Sequence, residues 1–186
     1  MALKSTIFKA DLNVSDLNHH YYQDHALTIA RHPSENDERM MMRILAFAFA
    51  IGEANGEGLS FGKGLSTDDE PDLWQKSLTG DVMHWLEVGR PSEERIRKAC
   101  GKAKKVSVFC YGGHAAELWW KELEKNIKRH SNLHIYNIAK TSTDALAMLA
   151  ERNMQLQSTI DENNIILSDN SQVIDIQLEP LFPSNG

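Results

Sequence analysis

The most constraining feature of this chain is a strand, a helix and a second strand in its middle third. Residues 106–111 are compact and apolar, and Gly112-Gly113 breaks the run. Residues 114–129 then read as a helix, with Trp119 or Trp120, Leu123 and Ile127 facing inward. Residues 133–138 return to a strand. Two strands joined through a helix pair in parallel by a right-handed crossover, so the chain requires an α/β core. The Gly112-Gly113-His114 turn at the helix start has the form of a phosphate cradle, although two glycines serve a plain tight turn equally well.

Upstream, residues 6–14 and 23–30 alternate with period two. Phe8, Ala10, Leu12 and Val14 line one side of the first, and Leu27 and Ile29 one side of the second. Between them, His19 and His20, with His25 just beyond, lack the further ligands of a metal set and read as exposed-loop residues. Ser34 is the expected N-cap of a helix whose stripe is Met41, Ile44, Leu45, Ala48 and Ile51, ending near Gly52. Glu38 stands at the head of that stripe. It is either a functional carboxylate or a first-turn acid facing the helix dipole or Arg31.

Two further strands are expected, one beginning at Pro71-Asp72-Leu73-Trp74 and one over residues 82–88, after a short strand at 59–65. Asp81 and Glu87 point the same way but lie roughly 20 Å apart at about 3.3 Å per residue, too far for one ion. Asp72 is better placed, because a hairpin centred near Thr79-Gly80 sets it opposite Glu87. Cross-strand neighbours approach to about 5 Å, a spacing suited to Mg²⁺. A helix opening at Pro91-Ser92-Glu93-Glu94 then carries the basic run Arg95, Arg97, Lys98. The C-terminal third reads as a short helix (143–152) and strands at 154–160, 165–167 and 173–178, with 180–186 as a frayed tail.

Composition narrows the function classes. The chain has 186 residues, 41% hydrophobic and 25% charged, which suits one soluble globular domain. A net charge of −6 argues against a protein that coats nucleic acid over its whole surface, and leaves room for a local basic site along residues 90–105. No apolar run is long enough to span a bilayer, and the N-terminus lacks a signal-peptide core, so no membrane partner and a cytoplasmic location are expected. Cys100 and Cys110 form neither a disulfide framework nor a metal motif.

Several segments together resemble the YaeQ family of bacterial proteins. They are the opening Met-Ala-Leu-Lys-Ser-Thr-Ile-Phe-Lys-Ala; Ala30-Arg31-His32-Pro33-Ser34-Glu35 with Glu38-Arg39-Met40; and Asp69-Glu70-Pro71-Asp72-Leu73-Trp74. Trp85-Leu86-Glu87-Val88-Gly89-Arg90-Pro91 and Met154-Gln155-Leu156-Gln157-Ser158-Thr159-Ile160 complete the set. The resemblance implies one domain over residues 1–186, with a divergent PD-(D/E)xK (restriction-endonuclease-like) core. That core is a mixed central sheet of order αβββαβ over residues 33–140. N-terminal strands (1–32) and a short helix with C-terminal strands (141–182) would form an additional antiparallel sheet.

The same resemblance implies Glu38, Asp72 and Glu87 as Mg²⁺ ligands. Asp72 and Glu87, with Lys98 replacing the lysine absent at Gly89, would act on a phosphodiester. Arg31, Glu35, Arg39, Asp69 and Arg95 are further pocket candidates. Two other readings stand beside a nuclease. One is a non-catalytic module that keeps a degenerate nuclease fold and binds nucleic acid or a protein partner, for example in transcription elongation or antitermination. The other is a purely structural acidic pocket neutralised by Arg31, Arg39 or Lys98.

Overall fold

The computed structural model describes residues 4–63 and 69–183. In chain order its strands and helices are β1 (Thr6–Asp16), β2 (Tyr21–Arg31), α1 (Asp37–Ile51), β3 (Leu59–Phe61), β4 (Leu73–Lys76), β5 (Val82–Val88) and α2 (Glu93–Lys102). They continue with β6 (Lys105–Tyr111), α3 (His114–Leu123), β7 (Leu133–Ile138), α4 (Lys140–Ala147), β8 (Asn153–Asp161), β9 (Asn164–Ser168) and β10 (Val173–Phe182). All ten strands belong to one mixed, nearly closed sheet of order β2-β1-β8-β9-β10-β7-β6-β5-β4-β3.

The middle of that sheet follows from the crossover argument, since β5, β6 and β7 run parallel with α2 and α3 as their connections. The terminal strands differ from expectation. They form no separate antiparallel sheet: β10 pairs with β7 and fuses the two halves, and β1 runs parallel to β8. Period-two burial is equally compatible with parallel or antiparallel neighbours, so alternation alone could not reveal this. β10 also extends through Pro180 to Phe182, where a frayed tail was expected, with a register shift that accommodates the proline.

α1 is the axle of the fold. Its N-cap is Asn36 rather than Ser34, with the Asn36 side chain accepting from the Arg39 N–H. Ser34 instead bonds with His32. Burial extends almost all round the helix, including Met40, Met42 and Arg43 as well as the expected stripe. A helix buried on every side belongs inside a protein, and here the sheet's concave face wraps it. The convex face of β5-β6-β7 carries a second core, in which Trp85, Val106, Val108 and Ile135 meet Ile96 and Ala99 of α2 and Ala116 and Leu123 of α3. α3 itself stops at Leu123, short of the expected 129.

Candidate functional site

The candidate carboxylates meet at the C-terminal end of β5. Leu73 pairs with Leu86, so the next position outward sets Asp72 beside Glu87, as the hairpin symmetry requires. β3 braces this corner, because the Gly62 N–H donates to Asp72 O at 2.8 Å. Both acids are almost fully buried, Asp72 at 4% and Glu87 at 3% exposure. Buried carboxylates persist only when their oxygens are satisfied, and here each has named partners.

Asp72 Oδ2 accepts from the Val88 N–H at 2.7 Å, and its Oδ1 accepts from Arg39 Nη2 at 2.6 Å. Glu87 Oε1 accepts from Trp85 Nε1 at 2.8 Å and from Arg95 Nε at 2.7 Å. Arg95 also donates through Nη2 to Glu70 O. Arg39 continues the network inward to Glu35 Oε1 at 3.0 Å. Glu35 in turn is gripped by fully buried Arg43, through Nε at 2.9 Å and Nη2 at 2.7 Å. The result is a chain of alternating charge, Arg43–Glu35–Arg39–Asp72, closed by Glu87–Arg95. Glu35, Arg39 and Arg43 lie at spacings of four on and ahead of α1, so they share one face.

Burial is the largest influence on Glu87 and raises its carboxyl to about 7. Asp72 adds to the rise, while Arg95 and the Trp85 indole oppose it. Tyr111 is likewise pushed up to about 12, chiefly by burial, with Arg39 opposing and Glu38, Asp72 and Glu35 adding to it.

The remaining candidates are placed differently. Glu38 Oε1 accepts from Thr143 Oγ1 of α4 at 2.6 Å, and Glu38 is not among the charges that shift Glu87. Arg31 pairs with Asp37 and lies over the Phe8 ring, so it neutralises none of the three acids. Asp69 is exposed and meets Lys102 at 3.4 Å. Lys98 is also exposed and pairs with Glu94 at 3.2 Å. The basic group that α2 delivers to Glu87 is therefore Arg95, not Lys98. The reason is helical phase: Arg95 lies one turn before buried Ala99, whereas Lys98 lies about 200° from buried Ile96. Arg43 and Trp85 were missed as site residues, although the Glu35-Arg39-Arg43 spacing was a legible signal.

A resident Mg²⁺ needs carboxylate oxygens that are free to coordinate it. Both Asp72 oxygens and Oε1 of Glu87 are held by protein donors. Among the described residues, no group of three or more His, Cys, Asp or Glu side chains is arranged to hold a metal ion. As they stand, these residues do not fit the ion. What they can do is hold two adjacent buried carboxylates against two guanidinium groups, at the mouth of a core that would otherwise reject them.

The relatives agree along nearly the whole chain. Residues 1–178 match the family described as "YaeQ protein". This chain belongs to the YaeQ family. It is 43% identical over 178 residues to "Uncharacterized protein YaeQ" of Salmonella typhi and 39% identical over 178 residues to that of Escherichia coli K12; each match covers 96% of both chains. The crystal structure of the YaeQ protein from Xanthomonas axonopodis pv. citri superposes with a TM-score of 0.89 at 38% identity, covering 95% of this chain and 98% of that one. The YaeQ protein from Pseudomonas syringae also gives 0.89, at 36% identity and 98% coverage of each. Among the described residues, no helix is long and apolar enough to cross a membrane.

Proposed function

We infer that this YaeQ-family chain is a non-catalytic binding module on a PD-(D/E)xK-like framework, with arginines in place of a metal ion at its carboxylates. The framework reading is supported by the element order α1-β3-β4-β5-α2-β6, in which β3, β4 and β5 form an antiparallel meander and β6 lies parallel to β5. The observation that carries the functional reading is the engagement of Asp72 by Arg39 and of Glu87 by Arg95. A carboxylate already neutralised by a bidentate-capable guanidinium has little to gain from a cation in solution.

The ligand that suits the exposed side of α2 is a nucleic-acid backbone. Burial lowers the His130 imidazole's affinity for a proton most, and Arg129 and Arg97 lower it further against Glu93, so both arginines act on one ring beside α2. Such contacts act as point charges on phosphates and fade steeply with salt. The module would work in the cytoplasm, in a setting such as transcription elongation or antitermination, where binding alone suffices.

One observation favours a second reading, a Mg²⁺-dependent phosphodiesterase. The pair of close carboxylates, one with its pKa near 7, is a pattern that also arises at catalytic sites. In that reading Arg39 and Arg95 would have to leave the acids. The two are separated by incubating the protein with single- and double-stranded DNA and RNA, with and without Mg²⁺ or Mn²⁺. Anisotropy reports binding and gel electrophoresis reports cleavage. The module reading expects salt-sensitive binding, weakened by Arg97→Glu, and intact nucleic acid. Metal-dependent cleavage that disappears in both Asp72→Ala and Glu87→Ala overturns it, and absence of binding moves the partner from nucleic acid to protein.

A further inference from the structure

At the opposite end of the strand order from β3, β2 ends the sheet. It pairs with β1 through eleven consecutive rungs without a bulge, from Thr6 with Arg31 to Asp16 with Tyr21. Its outer side is open. The Lys9 N–H donates to Arg152 O, and Asn13 O accepts from Ser158 Oγ, so Lys9, Asp11 and Asn13 aim their backbone groups at β8. Their rung partners Thr28, Ala26 and Asp24 therefore aim N–H and C=O away from β1. Among the described residues none of these groups has a backbone partner, and only Ala30 O is capped, by Arg43 Nη2 at 3.0 Å.

Long edges of this kind are normally blunted by lysine, proline or a bulge. β2 has no lysine, no proline and no bulge. Its exposed row is narrow, with Ala26, Thr28 and Ala30 leaving room for a neighbour's side chains. The charge beside it is negative toward Asp24, with Asp11 next to it, while exposed Lys9 stands across from Thr28 at the other end. A groove of about 710 Å³ crosses β2, β1 and β8, with Asp11, Asn13, Asp24, Gln155, Gln157 and Asp169 along it and neither lysine nor arginine in its lining. Asn13 Nδ2 donates to Asp24 at 2.7 Å and Gln155 Nε2 to Asp11 at 2.6 Å, which fixes the carboxylates in rows across the strands.

We propose that the outer edge of β2 is a docking site for an extended segment of a partner protein that adds a strand and carries Lys or Arg at alternate positions. Main-chain bonds to Asp24, Ala26 and Thr28 supply the affinity, and the acidic groove selects the basic side chains that the added strand turns to the same face. This surface is separate from the Asp72–Glu87 site and stands whether or not that site is catalytic.

The test uses the full chain and two nine-residue peptides, one alternating Lys and Thr and one alternating Glu and Thr, with amide chemical shifts recorded by NMR. The expected result is that the Lys peptide binds roughly tenfold tighter than the Glu peptide, because opposite charges across strands attract and like charges repel. The amides of Asp24, Ala26 and Thr28 should shift and gain exchange protection. Ala26→Pro removes an edge donor that faces solvent and should abolish binding. Asp24→Lys keeps the backbone and should reverse the preference. Failure of both peptides to bind, equal binding of the two, or shifts located elsewhere overturns the proposal. So does a dimer in sedimentation that Ala26→Pro dissolves, since a second copy would then hold the edge.

Discussion

Trp85 and Glu87 lie two residues apart on one face of β5, and the indole N–H of the first donates to the carboxyl of the second at 2.8 Å. A fluorophore is thus bonded to the most perturbed acid of the candidate site. Glu87 titrates near 7 in the fold and near an ordinary glutamate value in the unfolded chain. Below that ordinary value both states are protonated and the fold bears no penalty. As pH rises toward 7 the unfolded chain releases its proton first, so stability falls across the window, by up to about 3 kcal/mol. Trp85 fluorescence should show a transition centred near pH 7 that Glu87→Gln abolishes. Urea unfolding of Glu87→Gln should lose this part of the pH dependence, and an unchanged slope between pH 5 and 7 would contradict the assignment.

Arg43 is 1% exposed and makes two bonds to Glu35 and one to Ala30 O. Removing one partner of a buried pair leaves an uncompensated charge, at a cost of about 3–5 kcal/mol. Arg43→Ala should approach that loss in urea denaturation. Replacing both partners, as Arg43→Met with Glu35→Gln, should recover part of it. A double variant no better than the single one would show that packing rather than charge sets the cost.

The two basic candidates of α2 should behave oppositely. Arg95 lies against buried Glu87, whereas Lys98 sits in solvent beside Glu94. Exposed pairs one turn apart contribute about 0.3–0.5 kcal/mol, so Lys98→Ala should shift the unfolding midpoint only slightly. Arg95→Ala should cost on the order of 2 kcal/mol at pH 8, where Glu87 is ionised, and less at pH 5. Equal effects at the two pH values would argue that Arg95 acts through packing alone.

Gly62 has no room for a side chain. A Cβ there would lie 1.9 Å from Pro71 O, on the backbone that carries Asp72. Gly62→Ala must displace either β3 or the Asp72 segment, at a cost of about 1–3 kcal/mol. The Trp85 fluorescence transition should move with it if Asp72 shifts relative to Glu87.

Much of this geometry was legible from the amino-acid order. The hairpin expected about Thr79-Gly80 agrees with the pairing of Leu73 with Leu86 next to Asp72 and Glu87, and the strand–helix–strand run predicted the parallel centre. The partner of β1 was not legible, because parallel pairing with β8 joins segments more than 140 residues apart without altering the period of either strand. The choice of Arg95 over Lys98 depends on only about 60° of helical phase, which the neighbouring charges Arg95, Arg97 and Lys98 obscure. Arg43 was not singled out, because its spacing from Glu35 and Arg39 does not show that the sheet closes around that face of α1.

The central claim is that guanidinium groups fill the cationic role at Asp72 and Glu87. Paramagnetic Mn²⁺ broadens nearby proton signals, and the Trp85 indole N–H lies within one hydrogen bond of Glu87. Titrating the protein with Mn²⁺ and following that signal tests the claim without any assay of activity. The account predicts a signal that stays sharp in the unaltered protein. Selective broadening there, lost in Asp72→Asn, would contradict it.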